Sequence, residues 1–213
     1  RDLSHKIIDL LEFYRLSSNL KITYNNDLIV LFSLSELNIK FKFKDPRREN
    51  FGYRYYITSQ ELNNLKNEGF KDISSSDIQD GYLEYYYVNQ RIENLIPEEG
   101  EDLIHDKSFP LEFGMQTAIS FTKGCYVGQE VVARTSYRGT IRKKLYKVKA
   151  KSDIDISKTR EIRVLGEKIG TIGSHFKNTG LALIRIEDLE RAKLHNQKIT
   201  IGDEQEVEVF DSS

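Results

Sequence analysis

Apolar residues Ile7, Leu10, Leu11 and Tyr14 recur at helical spacing and predict an amphipathic helix over residues 3–16. The period then shortens to two. Residues 20–24 and 28–32 predict a β-hairpin around Asn25-Asn26-Asp27, residue types that tolerate turn geometry. Asp45-Pro46-Arg47 punctuates the chain, residues 53–58 predict another strand, and residues 59–68 a helix stopped by Gly69. Ser76, with Gln79 three residues later, forms a capping-box signature for a tyrosine-rich helix running from 78 to about 95. Pro97, Gly100 and Pro110 break the pattern across residues 96–120. Beyond residue 145 short period-two runs follow one another, at 145–150, 160–165, 168–174, 181–186, 198–201 and 207–210, with one helical run at 186–195. That spacing predicts a small antiparallel barrel. The expected class is α+β, an α/β lobe over residues 1–142 followed by a β-barrel domain over 143–213.

Composition narrows the possibilities. The 213 residues are 38% hydrophobic and 31% charged, the proportions of a globular chain able to bury a core. With 12 tyrosines and 11 phenylalanines, the cores are expected to be aromatic-rich. A formal net charge of −1 argues against general, non-specific nucleic-acid binding by the whole chain. No apolar run approaches the roughly 20 residues needed to span a bilayer, so no membrane partner is expected. One cysteine excludes an intramolecular disulfide and any zinc-finger or ferredoxin spacing, and suits a reducing compartment. His5, His105, His175 and His195 lack metal-ligand spacing, and no metal site is predicted.

That one cysteine stands in an unusual setting, Lys123-Gly124-Cys125-Tyr126-Val127-Gly128-Gln129-Glu130. Gly124 and Gly128 allow a sharp turn or a close approach to a ligand. Residues 129–134 predict a helical turn or two, which places Cys125 just before a helix N-terminus. Unpaired N–H groups there, together with Lys123, favour a thiolate. The alternative is a small, packed, inert thiol.

The stretch from Phe121 to Glu130, followed by Ala133-Arg134 and Arg138-Gly139, resembles the signature of the YgfZ-type folate-binding proteins, relatives of the glycine-cleavage aminomethyltransferase. Asp45-Pro46-Arg47 with Phe51-Gly52-Tyr53-Arg54 is similar to that family's DPR…LGxR element. Arg91-Ile92-Glu93 with Ile96-Pro97-Glu98 and Asp102-Leu103 resembles RxxxGIPExxxDL, and Pro110-Leu111-Glu112 matches PLE. Residues 170–174 and 180–185 resemble its GxxxS…GLALxR pattern. Leu95 stands where the family's pattern has a glycine. Family members carry a further stretch before the part matched here, so the chain is expected to be the C-terminal part of a longer protein.

The resemblance implies an aminomethyltransferase-like lobe that binds tetrahydrofolate, and support of iron–sulfur cluster assembly or repair. It also implies a link to tRNA modification that runs indirectly through an iron–sulfur enzyme. The expected partners are folate and iron–sulfur client or assembly proteins. The expected location is a bacterial cytoplasm, or the mitochondrial matrix if the source is a eukaryote. Cys125 and Lys123 would carry any chemistry. Glu93 would accept hydrogen bonds from the pterin edge, with Glu112 as a second acidic candidate. Arg134, with Arg138 as the weaker choice, would pair with a glutamyl carboxylate, and Tyr126 would stack on the ring. Two alternatives remain. One is a true aminomethyltransferase of glycine-cleavage type, whose relatives carry an acidic residue where Cys125 stands. The other is an RNA-binding adaptor using the basic run Arg142, Lys143, Lys144, Lys147, Lys149 and Lys151, which alternation also explains as the wet face of a strand.

Overall fold

A computed structural model describes residues 4–16, 18–23, 25–49, 51–68, 82–104 and 107–211. The chain forms two compact units. The first comprises residues 1–45 and 52–72, the second residues 46–51 and 73–213.

In the first unit the predicted N-terminal helix is α1, Ser4–Arg15. The expected hairpin does not form. Residues 18–23 carry no strand, and Tyr24 lies outside the described residues. Instead β1 (Leu28–Ser33) and β2 (Lys42–Lys44), the latter unanticipated, both pair antiparallel with β3 (Tyr53–Thr58), giving the order β1-β3-β2. Turn chemistry at Asn25-Asn26-Asp27 permitted a local hairpin, but register follows the face that must be buried. Ile29 and Leu31 lie opposite Ile57 and Tyr55, both fully buried. The Tyr55 hydroxyl accepts from the Leu37 N–H (2.7 Å) and donates to the Ser35 carbonyl (3.2 Å), so its polar end is satisfied inside. Asp45 is buried against Arg54 at 2.9 Å. Thr58 and Glu61 form a capping box for α2 (Ser59–Asn67). Gly69, the Ser76–Gln79 signature and the predicted start of the tyrosine-rich helix lie outside the described residues.

In the second unit that helix, α3, covers Tyr82–Glu93. It stops short of residue 95 because Leu95 turns to φ +51°, the left-handed region. Leu95 stands where the resembled pattern has glycine, so the glycine-like backbone is retained without the glycine. The strain, about 1–2 kcal/mol, is offset by burial of the leucine side chain against Ile92, Phe113, Leu145 and Leu181. Two 3₁₀ turns, Pro110–Phe113 and Gln116–Ala118, order part of the irregular stretch. Helix α4 (Gln129–Arg138) follows the cysteine motif and is longer than the turn or two expected.

The period-two runs close into a six-stranded antiparallel barrel, as the spacing predicted. Its strands are β4 (Lys143–Ala150), β5 (Glu161–Val164), β6 (Glu167–Phe176), β7 (Thr179–Arg185), β8 (Ile199–Ile201) and β9 (Gln205–Phe210). They are ordered β4-β7-β6-β5-β8-β9, with α5 (Ile186–Leu194) between β7 and β8. Alternation does two jobs here. Tyr146, Val148, Ala182 and Ile184 fill the barrel, while Leu145, Leu181 and Leu183 on the same strands belong to a second cluster with α3 and the first 3₁₀ turn. The barrel core is aliphatic rather than aromatic-rich, with Tyr146 its one aromatic member, because a small barrel's interior suits branched chains.

Burial holds the Tyr146 hydroxyl above its ordinary pKa of 10.0, with Asp211 and Glu190 adding to the effect. A raised folded-state value means the neutral form contributes stability that is present below the unfolded value and lost as pH rises through the folded one. Above about pH 10 the wild-type chain should therefore lose unfolding free energy more steeply than Tyr146→Phe. Denaturant titrations of the two across alkaline pH check this, and parallel slopes would refute it.

Candidate functional site

Helix α3 ends in a buried arginine. Arg91 is 3% exposed and its guanidinium fastens three segments of the second unit. Nη1 donates to the Ile96 carbonyl at 3.0 Å and lies 3.7 Å from Asp102 Oδ2, while Nη2 donates to Ser174 Oγ at 3.2 Å. Nε lies 3.0 Å from Glu98 Oε2, an ion pair whose N–H is not aligned for a hydrogen bond. Asp102 is the hub. It accepts from the Glu98 N–H (2.8 Å), the Ser174 N–H (2.8 Å) and the Ser174 hydroxyl (2.6 Å). A bulge in β6 between Ile172 and His175 releases that Ser174 N–H from the barrel ladder. Gly173 leaves the room, since a Cβ there would lie 2.2 Å from Asp102 Oδ1. These residues belong to motifs quoted above, yet nothing in their spacing announced that they meet.

This fastening sets the loop after α3 against one wall of a cavity of about 130 Å³. Pro46, Arg47 and Arg48 form a second wall, and Phe113, Gly114, Met115, Thr117 and Ala118 a third. Two of the sequence elements that carried the resemblance, at residues 45–47 and 96–98, thus meet at one concavity, and the residues just after Pro110-Leu111-Glu112 close its third side. Arg47 donates to the Tyr87 hydroxyl (3.2 Å) and lies over the Phe51 ring at 5.0 Å. Arg48 Nε donates to the Asn94 carbonyl at 3.0 Å.

The predicted site residues do not gather there. Cys125 is exposed, four residues ahead of the first residue of α4, and does not line the cavity. Gly128 caps that helix at φ +86°. Lys123 lies over the Tyr126 ring at 4.4 Å, so two of the candidates meet each other. Val127 beside them is 93% exposed. Glu93 faces solvent and pairs with Lys147 of β4 at 2.6 Å. Glu112 sits half-buried in the first 3₁₀ turn, and Arg134 is exposed on α4. The side chain of Arg138 and the whole of His105 lie outside what the structure describes. Of the basic run, Lys144 pairs with Asp211 and Lys147 with Glu93.

A pterin tests this arrangement. Its amino-pyrimidinone edge calls for a carboxylate, and among the described residues none lines the cavity. The volume is near the roughly 150 Å³ that accommodates one benzene ring, too little for a bicyclic ring with its aryl tail. Tetrahydrofolate therefore does not fit this cavity. The described residues hold no group of three or more His, Cys, Asp or Glu able to bind a metal ion.

Comparison with known proteins gives the sequence a context. Residues 142–212 match the family model for the CAF17 C-terminal beta-barrel domain. The chain is 32% identical over 154 residues to the mitochondrial iron-sulfur cluster assembly factor IBA57 of Mus musculus, covering 69% of this chain and 40% of that protein. Against the Homo sapiens protein of the same name the figures are 33% over 153 residues, 69% and 40%. A Neurospora crassa homolog is 37% identical over 105 residues, 47% of this chain and 21% of its own length. The chain spans less than half the length of these relatives. The closed barrel of β4 to β9 is thus consistent with the CAF17 C-terminal beta-barrel domain, carried on a chain similar to the IBA57 proteins.

Proposed function

We propose that this chain supports the assembly or repair of iron–sulfur clusters, with Cys125 as the residue that engages the cluster or its sulfur as cargo. The observation that carries the reading is the exposed thiol on a glycine-flanked loop, in a chain similar to proteins named as iron-sulfur cluster assembly factors. One thiolate cannot hold a conventional cluster alone. Cys125 would therefore act together with ligands from a client or assembly protein, and the uncovered Val127 beside it suits such an approach. The relatives' names place them in mitochondria, which favours the matrix over a bacterial cytoplasm for this chain. Any effect on tRNA modification would follow indirectly, through a cluster-dependent enzyme. Complementation of cells lacking the protein, with and without Cys125, tests the proposal.

Tetrahydrofolate binding rests on the sequence resemblance, with Glu93 as the residue at the pterin edge. Glu93 is available for that role, since an exposed pair such as Glu93–Lys147 is worth about 1 kcal/mol or less. If Glu93 meets the pterin, Glu93→Gln weakens tetrahydrofolate binding by about 1–3 kcal/mol, the scale for losing a charged hydrogen-bond partner. Calorimetry measures this directly. Equal affinity of the two proteins would take Glu93 out of any folate site.

A further inference from the structure

We propose that the cavity walled by Arg48, Leu95, Ile96, Phe113 and Met115 binds a small carboxylic acid with a single ring or a short branched chain. Its size selects the body of the ligand. A volume of about 130 Å³ takes one six-membered ring or its aliphatic equivalent, and most of the lining, Leu95, Ile96, Pro97, Phe113 and Met115 among it, is apolar. Its charge selects the head group. Arg48 is half-buried at the rim and held through Nε to the Asn94 carbonyl, and its Nη2 lies over Gly114, where a Cβ would come within 3.4 Å. Among the described residues no carboxylate neutralises Arg48, and neither of its amino groups has a hydrogen-bond acceptor. Among the described residues no acidic side chain lines the cavity. A planar guanidinium pair of N–H donors matches a carboxylate in bidentate fashion. A cation is repelled there, and a neutral apolar molecule leaves a partly desolvated guanidinium uncompensated. The inference stands apart from the iron–sulfur reading, because Cys125 does not line this cavity.

Met115 is the chain's one methionine, so methyl-labelled protein gives a single resonance at the cavity wall. Titrating the full 213-residue chain with benzoate should shift that resonance saturably. Benzamide, the neutral isostere, should bind at least about ten-fold more weakly. Arg48→Gln should erase the difference between the two probes. Ala118→Leu, which fills the cavity from an exposed position, should abolish benzoate binding while circular dichroism stays unchanged. An unmoved Met115 resonance, equal affinity for benzoate and benzamide, or unchanged benzoate affinity in Arg48→Gln would each overturn the proposal.

Discussion

Cys125→Ser should fold normally and fail to restore iron–sulfur enzyme activity in cells that lack the protein. The side chain is exposed and the replacement is close to isosteric, so stability should change by less than about 0.5 kcal/mol. The chemistry changes completely. A serine hydroxyl is neither a soft metal ligand nor ionised near neutral pH. Lys123→Ala should be milder. The Lys123 ammonium lies over the Tyr126 ring, so its removal loosens the loop but leaves the sulfur in place. The expected order of activity is wild type, then Lys123→Ala, then Cys125→Ser, read as the specific activity of a cluster-dependent enzyme at matched protein levels. Full rescue by a folded Cys125→Ser protein would make the sulfur dispensable and reduce the motif to a structural turn. Loss of activity accompanied by loss of soluble protein would instead point to the fold.

The largest effect on stability is expected at Asp102. Its carboxylate accepts three hydrogen bonds, from Glu98 N–H, Ser174 N–H and Ser174 Oγ, and it neutralises a nearly inaccessible Arg91. Asp102→Ala leaves that guanidinium buried with Glu98 alone, and deprives the Ser174 N–H of its partner inside the bulge. Breaking a buried pair from one side costs about 3–5 kcal/mol, because the surviving charge is uncompensated. Chemical denaturation of the variant should show a loss of that size. Adding Arg91→Leu to Asp102→Ala should recover part of it, since the second change removes the stranded charge. Simple additivity of the two substitutions, or a loss below about 1 kcal/mol, would mean that the ion pair is not what fastens the loop to the barrel.

The two sites differ in how far the sequence announced them. Cys125 was visible because its signal is local: a thiol, a lysine two residues before it, and glycines on both sides. The helix after it was visible for the same reason. Its use was not visible, because chemistry at a single thiolate depends on what comes to it. Glu93 shows the opposite failure. Spacing placed it on a helix with Arg91, but spacing cannot say that Arg91 turns inward to Asp102 and Ser174 while Glu93 turns outward to Lys147. Arg48 had no sequence signal at all. It became notable only because it borders a mostly apolar cavity and, among the described residues, no carboxylate faces it.

By itself the sequence determined whatever is encoded at a period of two or 3.6 residues: the barrel strands, α1, α2, α5 and the presence of a helix after the cysteine. Those elements follow from which side chains share a face, a property of a few adjacent residues. Tertiary structure alone decided which strands pair. β1 chose β3 over its nearest neighbour in sequence, and the barrel closed by pairing β4 with both β7 and β9. It also decided that residues 91, 102 and 174 meet, and that three separated segments enclose one cavity. The physical reason is that a buried charge or a buried face accepts only the partner that satisfies it, and for this chain that partner often lies tens of residues away.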